Sequence, residues 1–321
     1  MTTAVAVGNF DGVHRGHRAI LAAARSAAGD GGTVVAVTFW PHPLAVLRPD
    51  DAPKLLSELS ERIRLLEEAG ADQVRVVRFT PQLAAWSPER FVECVLGPLR
   101  PAHVVVGQNF RFGKDAAADG HALARLGRGQ FHVVVLPMLT DEGPLSSSRV
   151  RAALEAGEVA EAARLLGRPF RHTGIVVQGD QRGRTLGFPT ANLTVADDFA
   201  CPKDGVYAGW LIAPGASGPK ATQPGPSGSE APSGIERVAE GEVRWPAAIS
   251  VGTNPTFDGV ERRVEAHALD QTDLALYGRR VGVDFTDRIR GMVRFAGLPE
   301  LVAQLESDVA QTRRLLAARE S

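Results

Sequence analysis

The feature that most constrains this chain is a change of rhythm about half-way along it. From Thr3 to Leu139, apolar runs alternate with helix-like stretches. The runs are TAVAVG at 3–8, TVVAVTF at 33–39, QVRVVRF at 73–79, HVVVG at 103–107 and FHVVVLPML at 131–139. Between them lie an alanine-rich stretch ending at Ala28, SELSERIRLLEEAG at 57–70 and SPERFVECVLGPL at 87–99. Near-continuous apolar strands suit a parallel sheet buried on both faces, and the intervening helices are what would cover it. The expectation is an α/β N-terminal domain of the Rossmann-like, parallel-sheet type.

The alternation stops after SSSRVRAALEAGEVAEAARLLGRPF at 146–170, which reads as two short helices. Beyond it come short strand candidates divided by Gly, Pro and Asp turns: RHTGIVVQGD, GVYAGWLIA, VRWPAAISVG, VEAHALD and RRVGVDFTDRI. That pattern predicts an all-β domain, a small antiparallel barrel. Leu298, Leu301, Val302, Leu305 and Val309 then recur near helical spacing, predicting a C-terminal helix. The domain boundary falls near Gly167–Pro169, giving domains 1–167 and 168–321. Residues 213–234, APGASGPKATQPGPSGSEAPSG, lack any aromatic and read as a disordered insertion between two barrel strands.

Composition closes off several classes. With 36 basic against 37 acidic residues the net charge is -1, so no basic field exists to hold nucleic acid. Cys94 and Cys201 are the only cysteines and neither lies in a CxxC, which argues against a disulfide framework and a thiolate metal site. No secretory leader is visible in MTTAVAVGNF, and no run approaches the roughly 20 apolar residues of a membrane span. The expectation is a cytoplasmic protein of small-molecule partners, with no nucleic acid, no membrane and weak self-association at most.

GNFDGVHRGH at 8–17 sits where the first strand meets the first helix, outside the carboxyl end of a parallel strand. A helix N-terminus attracts phosphate through its free N–H groups and dipole. Glycines at 8, 12 and 16 permit close backbone approach. His14 and His17, three apart, share one face if the helix starts here, and could donate to oxygens that gain charge in a transition state. The same residues also fit a plain turn with two surface histidines, or a zinc pair lacking a third ligand. GQNFRFGKD at 107–115 is not a P-loop: one residue too many separates its glycines, and Asp115 replaces the Ser or Thr.

GNFDGVHRGH and SSSRVR resemble the HxGH and ISSTxxR signatures of the adenylyltransferase superfamily. Taken with TFWPHP and VGQNFRFG, they resemble the FMN adenylyltransferase half of bacterial bifunctional riboflavin kinase/FAD synthetases. Leu145 and Ser148 stand where that superfamily usually has Ile and Thr. The resemblance implies that His14 and His17 contact the ATP phosphates, with Gly8, Asn9, Phe10 and Asp11 of the same turn in the ATP- and phosphate-binding set. Asn109, Ser147 and Arg151 would hold phosphate and stabilise departing pyrophosphate. Phe39, Pro41 and Pro43 would line the flavin pocket.

GDQRGRTLGFPTANL at 179–193, with three glycines and a proline, predicts an ordered loop rather than helix or strand. Thr190 and Asn192 offer hard oxygens suited to Mg²⁺ bearing a nucleotide, and Gly183 and Gly187 could admit phosphate to the backbone. Glu265 interrupts an apolar strand, VEAHALD; an inward carboxylate there needs a partner or a function, whereas one on a strand edge would simply face solvent. RGRTLGFPTAN, DGVYAG, SVGTNPTF, VEAHALD and LYGRRVGVDF resemble riboflavin kinases, in order and along nearly the whole second domain. That resemblance implies a six-stranded barrel and Mg·ATP near Thr190 and Asn192, beside a loop holding Gly183, Gly187, Phe188 and Pro189. Glu265 would activate the riboflavin 5′-hydroxyl. LDQTDLALYG departs from the usual Asp-rich form. The implied chemistry uses ATP and Mg²⁺ and runs from riboflavin to FMN to FAD.

Overall fold

β1 (Thr3–Val7) shows why the first half of the chain forms a two-faced sheet. Val5 and Val7 turn to one side with Val35, Val37, Val104 and Val106, and Ala4 and Ala6 turn to the other with Val34, Ala36 and Val105. Both sides are buried, as near-continuous apolar strands demand. The alanine side receives α1 (Arg15–Ala28) through Leu21, Ala24 and Ala28, the alanines on both partners allowing close packing.

The computed structural model describes residues 1–178, 188–214, 236–237, 242–256, 259–271 and 275–320. Gly183, Gly187 and residues 215–234 of the insertion lie outside the described residues. The chain divides into two compact units, Met1–Arg149 with Leu165–Gly167, and Val150–Arg164 with Arg168–Ser321.

In the first unit β1 is joined by β2 (Thr33–Trp40), β3 (Gln73–Arg78) and β4 (His103–Gly107). Two-residue strands β5 (Arg111–Phe112) and β6 (Ala118–Asp119) pair with each other, and β7 (His132–Leu136) completes the main sheet. Its order is β3-β2-β1-β4-β7 and every pairing is parallel. Helices α2 (Pro43–Leu47), α3 (Leu59–Glu68), α4 (Pro81–Ala84), α5 (Pro88–Phe91) and α6 (Gly120–Leu126) fill the connections. The chain winds outward from β1 to β3 and then resumes at β4 on the other side of β1. The carboxyl ends of β1 and β4 therefore flank the switch point where open α/β sheets bind ligands.

α7 (Ser147–Ala156) and α8 (Val159–Leu166) follow. The second unit is then a ring of antiparallel strands: β8 (Phe170–Val177), β9 (Ala191–Thr194), β10 (Gly205–Pro214), β12 (Glu242–Thr256), β13 (Gly259–Ala268) and β14 (Arg280–Arg290). β11 (Glu236–Arg237) is an appendage on β12. The order β10-β14-β8-β9-β13-β12 closes through a β10–β12 ladder, giving six strands in the barrel. Gly209 marks its tightest approach: an added Cβ would lie 1.9 Å from the Asp284 carbonyl, beside a register shift against β14. The C-terminal helix α9 (Leu298–Glu320) lays Leu316 on Trp210 and Ile212.

β9 corrects one expectation. Residues 191–193 close the loop expected over 179–193, yet they belong to a strand with Ala191 and Leu193 buried. Four residues with a Pro-Thr entry carry too little alternation to stand out in a glycine-rich context.

His172, on β8, is buried with Nε2 3.4 Å from the Thr194 carbonyl. Burial lowers its pKa from 6.5 to about 4, against a smaller raising effect of that carbonyl. The folded ring stays neutral while an unfolded one protonates, so stability holds above 6.5 and is lost as pH falls towards about 4. The loss should approach about 3 kcal/mol. Denaturant unfolding at pH 7 and pH 4.5 should show a steeper fall for the native protein than for His172→Gln; equal falls would exclude this source. Among the described residues, no helix is long and apolar enough to cross a membrane.

Candidate functional site

The β1–α1 turn is held in an unusual backbone path. Gly8 extends the ladder by donating its N–H to the Val37 carbonyl at 3.1 Å, and Phe10, Gly12 and Val13 follow with φ of 52°, 78° and 40°. Gly12 is required twice over, because a Cβ would also sit 2.8 Å from Leu56 Cδ1. Phe10 and Val13 pay for left-handed φ by full burial, which locks them.

Asp11 anchors this path. Its carboxylate accepts from the Leu56 N–H at 3.0 Å, from Ser57 Oγ at 3.3 Å and from Arg62 Nη2 at 3.1 Å. Arg62, on α3, is fully buried and also donates Nη1 to the Asn9 and Phe39 carbonyls at 3.1 and 3.3 Å. Its guanidinium lies 5.4 Å from the Trp40 ring. One buried cation thus ties the turn to the carboxyl end of β2. The Asp11 side chain is engaged inward, leaving the turn's backbone as its means of meeting a ligand.

His14 is the N-cap of α1, and its Nδ1 accepts from the Gly16 and His17 N–H groups at 3.1 and 3.4 Å. An accepting Nδ1 puts the proton of the neutral ring on Nε2. The His17 ring stacks on His14 at 3.7 Å and meets Phe10 edge-on at 5.2 Å. Burial, then His14, then Arg62 hold the His17 pKa well below the usual histidine value, so it stays neutral near pH 7. Its Nδ1 and the Asn9 Oδ1 are buried without a hydrogen-bond partner. Two orphaned polar atoms in one turn suit a site completed by a ligand.

Ser147, opening α7, donates Oγ–H to the Asp11 carbonyl at 2.9 Å, bringing SSSRVR to the turn across 136 residues of sequence. Asn109 follows β4, exposed, with Oδ1 close to Gly107. Gly8–His17, Asn109 and Ser147 therefore gather at the β1/β4 switch point. Arg151 lies one turn beyond Ser147 on α7, half-buried. Phe39 packs against Phe79 and Phe91 at 6.2 and 6.3 Å. Pro41 follows a cis peptide bond and Pro43 opens α2, both half-buried.

In the barrel, Glu265 faces away from the fully buried side of β13, where Val264, Ala266 and Ala268 point. Strand alternation puts it on the face opposite the packed one. Nor is it at an edge, since β13 pairs with both β12 and β9. Its cross-strand neighbours are Ser250 and Asn192. Asn192 donates Nδ2–H to Thr190 Oγ1 at 3.2 Å and to the Thr190 carbonyl at 3.3 Å.

A cavity of about 260 Å³ opens here. Thr190, Ser250, Glu265 and His267 give it a polar end, and Val293, Phe295, Leu301, Leu305 and Val309 an apolar slot. Leu301, Leu305 and Val309 belong to α9, so that helix both covers the cavity and caps the barrel. Arg290 Nη2 meets Asp308 Oδ2 at 2.7 Å in its wall. Further along α9, Arg313 pairs with Asp270 at 2.6 Å.

Arg62, His267 and the Arg290–Asp308 pair were not legible as site residues. The only available hint was that His267 is two residues from Glu265 and so shares its face. No group of three His, Cys, Asp or Glu side chains among the described residues could hold a metal. Mg²⁺ needs no such cage, because it keeps waters and substrate phosphates and takes one or two protein oxygens. The adjacent Thr190 and Asn192 side chains fit that donor set.

A family model described as FAD synthetase matches residues 1–150, and one described as riboflavin kinase matches residues 166–316. The bifunctional riboflavin kinase/FMN adenylyltransferase of Listeria monocytogenes is 35% identical, covering 98% of this chain and 93% of its own. The protein of the same description from Escherichia coli is 36% identical, covering 96% and 90%. A crystal structure from Streptococcus pneumoniae, described as a macrolide-efflux protein, is 32% identical with a TM-score of 0.80, covering 97% and 94%.

Proposed function

The chain belongs to the bifunctional riboflavin kinase/FMN adenylyltransferase family, and from that premise we propose how its residues divide the work. It makes flavin coenzymes: ATP phosphorylates riboflavin to FMN, and a second ATP adenylylates FMN to FAD with release of pyrophosphate. We assign adenylyl transfer to residues 1–167 and phosphorylation to residues 168–321, in the cytoplasm, without nucleic-acid partners and with weak self-association at most.

The observation that carries the kinase assignment is the cavity joining Glu265 to an apolar slot. The slot takes the flavin ring, which leaves the ribityl 5′-hydroxyl at the polar end. Glu265 accepts the hydroxyl proton as the oxygen attacks the γ-phosphorus and the bond to the β-phosphate oxygen breaks. Thr190 and Asn192 would hold Mg²⁺, which when bound neutralises charge on the phosphate oxygens.

At the switch point, an FMN phosphate oxygen attacks the ATP α-phosphorus in line, and the bond to the bridging oxygen of pyrophosphate breaks. His14 Nε2–H and the neutral His17 donate to oxygens whose charge grows, with the backbone of Gly8–Asp11 cradling phosphate. Asn109, Ser147 and Arg151 hold the leaving group, and Phe39, Pro41 and Pro43 form the flavin-side wall.

A chromatographic time course with riboflavin, ATP and Mg²⁺ tests the order: FMN should rise and then give way to FAD. His17→Ala should lower adenylyl transfer about 100-fold. FMN formation by the same variant should be unchanged. Parallel loss of both activities in a folded variant would refute separate sites.

A further inference from the structure

The kinase site has one more contact that bears on the reaction. His267 stands two residues beyond Glu265 on the same face of β13 and lines the same cavity. Its Nδ1 lies 2.9 Å from the Pro189 carbonyl. A carbonyl only accepts, so the imidazole donates through Nδ1–H and its tautomer is set. The ring also meets the edge of Phe188 at 5.3 Å. The two residues that precede Thr190 are thus both held by one side chain of the strand that carries the base.

We propose that His267 is a positioning residue for phosphoryl transfer: by clasping Phe188–Pro189 it sets Thr190, and with it the bound nucleotide, at a fixed distance from Glu265. The inference rests on the assignment of Glu265, Thr190 and Asn192 made above.

The physical need is plain. Phosphoryl transfer depends on holding acceptor and donor in line, because the protein supplies little covalent chemistry. Pro189 has no N–H with which to join a ladder, and β9 begins only at Ala191. Its carbonyl could equally be satisfied by water, in which case the loop would sample several paths. Desolvation is the main influence on His267 and holds its pKa below the usual histidine value, while its hydrogen bond to Pro189 acts in the opposite sense.

The test uses the full chain and compares His267→Ala with His267→Asn, whose amide can donate from nearly the same place as Nδ1. Initial rates of FMN formation, with ATP and riboflavin varied separately, should show KM for ATP raised about fivefold to tenfold in His267→Ala. The rate of adenylyl transfer should stay at the native value, and His267→Asn should recover most of the loss. Hydrogen exchange of the amides of residues 190–192 supplies a readout independent of turnover. It should accelerate in His267→Ala and not in His267→Asn. Unchanged exchange in His267→Ala, an unchanged KM for ATP, or equal loss in the two variants would overturn the proposal. A native protein that fails to phosphorylate riboflavin would overturn the site assignment instead, and the exchange result would still judge the clasp.

Discussion

Glu265→Gln is expected to lower riboflavin phosphorylation about 1,000-fold, within the range found for removal of a general base. Adenylyl transfer should stay at the native rate. Glutamine keeps the shape and reach of the side chain and removes its charge and its capacity to take a proton. The residue sits on the half-buried face of β13 between Ser250 and Asn192, while the packed face is formed by Val264, Ala266 and Ala268. The exchange therefore leaves the core untouched. Initial FMN formation at saturating riboflavin and ATP is the measurement, with FAD formation from supplied FMN as the internal control. A kcat within about tenfold of native would remove Glu265 from the role of base, since positioning alone would then account for the rate.

Asp11→Ala is expected to destabilise the first unit by about 3–5 kcal/mol, the usual consequence of leaving one member of a buried ion pair behind. Arg62 would keep its backbone acceptors Asn9 and Phe39 and lose the carboxylate it meets at 3.1 Å. The Leu56 N–H would lose its acceptor as well. Calorimetry should show an early transition for the first unit, with FMN formation at the barrel retained. A shift below about 0.5 kcal/mol would mean that water reaches Arg62 and screens it. Asp11→Asn should fall between, because the amide still accepts from the Leu56 N–H without matching the charge. These outcomes separate a residue that shapes the β1–α1 turn from one that would itself touch a phosphate.

Much of this molecule is readable from residue order. Apolar runs such as HVVVG and TVVAVTF have to be buried on both faces, so a parallel sheet covered by helices follows from them directly. The cluster of Gly8, Gly12 and Gly16 with His14 marks a strand–helix turn for the same local reason. The turn-punctuated second half points equally directly to an antiparallel barrel. In each case the signal lies within one segment, where side-chain period and backbone freedom decide the local state.

Strand order is different, because no segment encodes its neighbour across a sheet. The sequence of pairings β3-β2-β1-β4-β7 places Asn109 and the β1–α1 turn at one switch point, and a hydrogen bond from Ser147 to Asp11 draws SSSRVR to it. Arg62 reads as one charge among several on an amphipathic helix until folding buries it beneath the turn. Asn192 reads as a loop residue until β9 pairs with β13 and sets it opposite Glu265. The sequence by itself determined which residue types the two sites could use and which elements would carry them. The tertiary structure decided which of them meet, because pairing register and the burial of charge depend on contacts made between segments far apart in the chain.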